Sequence, residues 1–189
     1  MKSRERFNRT AWRSAWLAAA AALTPTLASA AEQAAGKIDT GDTAWILVST
    51  ALVMLMTPGL AMFYGGMVRR KNVLGTIMHS FIAIALVSVQ WVLFGYSLAF
   101  GPDIKGWIGN LDWAGLTGVG SSPNADYAAT VPHLAFMAYQ MMFAVITPAL
   151  ISGAFAERIK FSTFLVFTLL WTTGCTIPYA TGSGARAAG

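Results

Sequence analysis

Long apolar runs without a single charged side chain set the pattern of this chain. No Asp, Glu, Lys or Arg occurs between Asp42 and Arg69, between Lys71 and Asp103, between Asp126 and Glu157, or between Lys160 and Arg186. A helix that crosses a bilayer needs about 20 predominantly apolar residues, about 30 Å of rise, and each interval is long enough to hold one. The pattern predicts helices near 44–67, 75–100, 133–155 and 161–181. A water-soluble helix keeps a polar face; these segments lack one. The fold class expected is therefore an all-α integral membrane protein.

The connecting segments orient the helices. Arg69-Arg70-Lys71-Asn72 and Glu157-Arg158-Ile159-Lys160 are short and basic, whereas the loop 101–132 carries Lys105 against Asp103, Asp112 and Asp126. Basic loops stay in the cytoplasm, so both short turns are expected inside and the long loop outside. Composition agrees: 56% of the 189 residues are hydrophobic and 11% charged, against about 25% charged in soluble domains. The net charge of +5 raises the question of a nucleic-acid binder. Position answers it, since Lys2, Arg4, Arg6, Arg9 and Arg13 against Glu5 place +4 before residue 14. No nucleic-acid partner is expected. That basic start, the Ala-rich run 15–23 and the small residues Ala28 and Ala30 form a secretory signal peptide over 1–30. An external segment 31–42 follows, and the mature N-terminus lies outside the cytoplasm of an inner-membrane protein. The lone Cys175 makes no internal disulfide, and no Cys/His cluster has metal-ligand spacing. No cofactor is expected. No Ser/His/Asp, Walker or zinc arrangement is present, which leaves an enzyme reading without residues.

Polar and aromatic residues inside the apolar runs are the candidates for chemistry. On the third segment Phe136, Tyr139, Gln140 and Phe143 fall at i, i+3, i+4 and i+7, one face of a helix. Rings beside an amide line a path for a small cation, and a desolvated cation over a ring gains about 2 kcal/mol. Aromatic stripes more commonly pack; Gln140 favours function, because a primary amide in hydrocarbon needs partners. His79 and His133 read as interfacial residues near the two membrane faces, and Gln90 reads as a hydrogen-bonding contact to a neighbouring helix. The glycines at 59, 65, 66, 75, 95 and 153, with Pro58 and Pro148, read as close-packing and kink positions.

The stretches Gly41-Asp42-Thr43-Ala44-Trp45, Thr57-Pro58-Gly59-Leu60-Ala61-Met62-Phe63-Tyr64-Gly65-Gly66, Lys71-Asn72-Val73-Leu74, Gly95-Tyr96-Ser97-Leu98-Ala99-Phe100-Gly101 and Gly153-Ala154-Phe155-Ala156-Glu157-Arg158 carry a resemblance. Over residues 41 to about 172 the chain resembles the ammonium transporter (Amt/Mep/Rh) family. The resemblance implies a homotrimer of channel-like subunits, each with about eleven helices in two inverted repeats, of which this chain holds about four. It implies ammonium or ammonia as substrate, membrane lipid as surroundings and a cytoplasmic regulatory protein as candidate partner. By position, Phe143 matches a gating phenylalanine, Tyr139 lies near the external recruitment site, and Gln140 is the candidate pore-adjacent polar group. A dry pore disfavours the charged amine, in keeping with deprotonation at such a gate. An alternative is an ammonium sensor or signalling input related to the transporters.

From Thr172 onward the chain departs from the family, which carries a Tyr-x-Pro-x-x-His-x-x-Trp-like run there. Codons chosen for 172–189 and read from their third bases restore that run, so a frameshift near Thr172 is expected. The membrane domain then covers 43–173 in part, 174–189 is an aberrant tail, and the chain alone is expected to be an incomplete, inactive fragment.

Overall fold

The computed structural model describes residues 37–104 and 108–181. The expected signal peptide, Trp107 and the tail beyond Thr181 lie outside the described residues. Among the described residues four helices are long and apolar enough to cross a membrane: a first span Thr40–Met67, a second Arg70–Phe100, a third His133–Phe155 and a fourth Phe161–Ala180.

The first span starts at Thr40, so residues 40–42, expected in the external segment 31–42, are helical. The reason is a cap. Asp39 has extended backbone and its carboxylate accepts the Asp42 N–H at 2.9 Å, while the Thr43 hydroxyl donates to the Asp39 carbonyl at 2.7 Å. The same turn is stitched to the loop before the third span. Asp39 N–H donates to the Thr130 carbonyl (2.8 Å) and the Thr130 hydroxyl to the Asp42 carboxylate (2.7 Å).

The second span is composite. A 3₁₀ turn Arg70–Asn72 leads into an α-helix Val73–Gln90, a π turn Trp91–Gly95 and a last α turn Tyr96–Phe100. The fourth has the same construction, α-helix Phe161–Trp171, π turn Thr172–Thr176 and α turn Ile177–Ala180. The third is α-helical over His133–Ser152 and tightens into a 3₁₀ turn over Gly153–Phe155. The first span packs on the second and third, and the second also on the third and fourth.

Two glycines set the close approaches. A Cβ on Gly65 would stand 3.1 Å from Ile77, where the first and second spans meet. A Cβ on Gly153 would fall 2.5 Å from Tyr64 Cζ, so the bare backbone of the third span is the seat for the Tyr64 ring. The Tyr64 hydroxyl donates to the Leu150 carbonyl at 3.0 Å, supplying a donor to the end of a helix whose last carbonyls lack internal partners. Gly59, Gly66 and Gly75, by contrast, face open space.

The long loop forms two small antiparallel hairpins, β1 (Asp103–Ile104) with β2 (Ile108–Gly109) and β3 (Pro123–Asn124) with β4 (Ala128–Pro132). Buried Ser97 anchors it, donating to the Asn110 carbonyl (2.7 Å) and accepting the Trp113 N–H (3.0 Å). Tyr127 adds a bond to the Phe100 carbonyl at 3.0 Å.

Candidate functional site

The helix face predicted on the third span divides in two. Phe136 turns to the loop and second span, stacking on Tyr127 (centroids 5.9 Å, 12° between planes) and meeting the Phe100 ring edge-on at 5.6 Å. It is a packing residue. Tyr139 and Phe143, one helical turn apart, meet each other edge to face at 5.0 Å and 79°, the geometry aromatic quadrupoles prefer. Phe143 remains 43% exposed. Gln140, half-buried beside them, makes no side-chain hydrogen bond among the described residues. An amide in that state has donors and acceptors to offer.

Above the ring pair, at the loop-bearing end, lies a cleft of about 290 Å³ between the first and third spans. Tyr139 lines it together with Asp42, Trp45, Ile46, Ser49 and Val131. The helix cap described above places Asp42 there. One turn further along the first span stands Trp45, 76% exposed.

Beside this site is an aromatic cluster that periodicity did not reveal. His133, expected at an interface, is 4% exposed and shares a 2.6 Å hydrogen bond with Tyr96 across Nε2 and the phenol oxygen. The Trp113 ring meets it edge-on at 5.0 Å and stacks on Tyr96 at 5.9 Å. The long loop folds back over the helix end, and that burial is invisible in a local sequence window. The cluster fixes the start of the third span against the second, one and a half turns before Tyr139.

Deeper in the bilayer, Gln90 joins the second and fourth spans. Its amide nitrogen donates to Thr173 Oγ1 (2.6 Å) and its oxygen accepts from Thr172 Oγ1 (2.6 Å). The partners lie where the π turn of the fourth span begins, and Gln90 immediately precedes that of the second. π turns commonly mark functional positions in helices.

At the opposite end, the two basic turns are clamped together. Glu157 accepts from Arg69 Nε through both oxygens (3.2 and 3.1 Å), from the Arg69 backbone N–H (3.0 Å) and from Asn72 Nδ2 (2.9 Å). The side-chain bond from Arg69, then those from Asn72 and the Arg69 backbone, hold the carboxyl down to about 2. The Arg69 guanidinium is raised in turn by its hydrogen bond to Glu157. Glu157 sits at φ 64°, a left-handed conformation that the clamp compensates. Asn72 and Glu157 also border a cleft of about 260 Å³ that includes Lys71 and His79. His79 Nδ1 donates to the Gly75 carbonyl at 2.7 Å, with its ring edge-on to Phe164.

Comparison with known proteins identifies the family. The model of the Ammonium Transporter Family matches residues 44–181, reaching past the expected boundary at 173. An ammonium transporter of Bacillus subtilis is 59% identical over 140 residues, which cover 74% of this chain and 34% of that protein. The chain thus spans about a third of the length of the curated relatives it matches. The crystal structure of Saccharomyces cerevisiae Mep2 superposes with a TM-score of 0.67 at 35% identity, covering 77% of this chain and 32% of that one. A sensor Amt protein superposes at 0.68 with 21% identity, covering 75% of this chain and 34% of the other, a likeness of fold alone. The four spans are accordingly part of the eleven-helix Amt/Mep fold. With the match covering most of its length, this multi-pass membrane chain belongs to the ammonium transporter family.

Proposed function

We propose that these four spans contribute the outer mouth and first gate of an ammonium-conducting subunit. The edge-to-face pair of Tyr139 and Phe143 beneath an open cleft is the observation that carries the reading. A cation entering the cleft meets a ring face at Tyr139 and then Phe143, and Gln140 offers its amide at the same level. Water lost on entry is offset in part by the rings. Beyond the gate, a dry path favours the neutral amine over the cation.

The orientation that goes with this reading puts the Arg69–Glu157 clamp in the cytoplasm and the cleft outside, as the basic turns favour. An inner-membrane location accompanies it. Exposed Leu52, Leu55, Met62 and Met67 on the first span suit contact with lipid, further helices or other copies in a homotrimer. The basic-turn face suits a regulatory protein.

The test grafts residues 44–171 into the matching segment of the Bacillus subtilis relative and follows uptake of radiolabelled methylammonium. The graft is expected to take up the label, and the 189-residue chain alone is not. Phe143→Ala in the graft is expected to lower the preference for methylammonium over potassium about tenfold. Unchanged uptake and selectivity in that variant would remove Phe143 from the gate.

A further inference from the structure

The gate pair is carried by a stretch of the third span that its own sequence does little to orient. The span starts on Pro132 without a side-chain cap, and its first N–H groups go to loop carbonyls, His133 to Ser122 at 3.3 Å and Leu134 to Gly120 at 3.1 Å. Past the gate, Pro148 removes an internal hydrogen bond of the helix. That break weakens any restraint passed back from the seat of Tyr64 on Gly153 at the opposite end. The stretch 133–147 must therefore be oriented from its loop-bearing end. There His133 is 4% exposed and Tyr96 fully buried, and a polar group so buried needs a partner. Their shared 2.6 Å bond gives each one. Stacked rings such as Phe136 on Tyr127 tolerate sliding, whereas a hydrogen bond is directional.

At 3.6 residues per turn, Tyr139 and Phe143 stand about 120° and about 80° round the helix from His133. A rotation of about 10° carries a ring about 6 Å from the axis through about 1 Å, and a binding constellation needs its members held within about 0.5 Å. We infer that His133, acting through Tyr96, is a positioning residue for the gate: its bond sets the rotation of the third span and thereby the ion selectivity of Tyr139 and Phe143. His133 itself touches no ion. This rests on the transport reading for what the gate selects, while the positioning rests on the packing and is measurable without transport.

Two readouts test it. In the graft, Tyr96→Phe keeps the ring and deletes only the phenol oxygen, and is expected to lower the preference for methylammonium over potassium about threefold. His133→Leu is expected to do the same and the double variant no more, while His133→Gln, whose amide reaches about as far as Nε2, retains the preference. A residue that only held the fold together would reduce uptake of both ions alike and leave their ratio unchanged. In the full chain in phosphatidylcholine nanodiscs, 3-fluorotyrosine placed at position 139 reports the neighbouring Phe143 ring through its fluorine chemical shift. That resonance is expected to move in Tyr96→Phe and His133→Leu and to hold in His133→Gln. Circular dichroism identifies the folded variants, and if His133→Leu loses its helices, Tyr96→Phe and His133→Gln decide. An unmoved resonance in folded Tyr96→Phe, or an unchanged ion ratio in a graft that takes up the label, overturns the positioning role. The two readings fail separately: a graft without uptake beside the expected fluorine shifts removes transport alone, and an unmoved resonance beside an active graft removes the positioning alone.

Discussion

Glu157 shows how much a single residue settles. Its carboxylate draws the Arg69 side chain and backbone and the Asn72 amide to one point, joining two turns 88 positions apart. Because the folded carboxyl lies near 2 rather than its ordinary 4.5, the group binds fewer protons folded than unfolded around pH 3–4. Its stabilising contribution is complete above pH 4.5, declines as pH falls, and is gone below about 2. Thermal unfolding in detergent is expected to lose stability over that window, and Glu157→Gln to flatten the loss there. A variant with the same acid profile as the parent would refute the clamp. The clamp's members were conspicuous in the sequence only as a family motif and a basic turn. Their pairing was not, since charge patterns report which residues face water and not which loop folds beside which.

Among the elements, the paired π turns depend on interhelical hydrogen bonds. Gln90 read correctly as a polar contact to another helix, because an amide at mid-membrane needs partners. Its partners Thr172 and Thr173 went unnoticed because threonine in an apolar helix satisfies itself on its own backbone. Both do: Thr172 Oγ1 lies 2.8 Å from the Thr168 carbonyl and Thr173 Oγ1 2.7 Å from that of Leu169. With that fallback, Gln90→Leu is expected to cost only about 1 kcal/mol in SDS-titrated unfolding. A double-mutant cycle with Thr173→Val should return a coupling of similar size, and zero coupling would remove the bond from the account. The aromatic stripe teaches the converse. Spacing placed Phe136, Tyr139 and Phe143 on one face, yet a helix face is wide enough to meet two neighbours. Phe136 went to Phe100 and Tyr127 while the other two paired.

For the whole molecule the proposed topology is open to a direct check. With Cys175→Ser as background, Ser121→Cys is expected to react with a membrane-impermeant maleimide on intact cells, and Lys71→Cys only after the cells are opened. Both positions are exposed in the fold, so the opposite pattern would invert the orientation.

The number of spans, their approximate limits and the family followed from sequence, because charge-free length and short motifs are local properties of the chain. Even there the first helix began earlier than its apolar run, since Asp39 caps it. What only the tertiary structure decided is which groups meet. His133 is buried under Trp113, Tyr64 is seated on Gly153, and Asp42 is held beside Trp45 and Tyr139 at the mouth of a cleft. Those contacts join segments tens of residues apart. Helical periodicity assigns a residue to a face, and only packing against other spans and a folded loop assigns that face a neighbour.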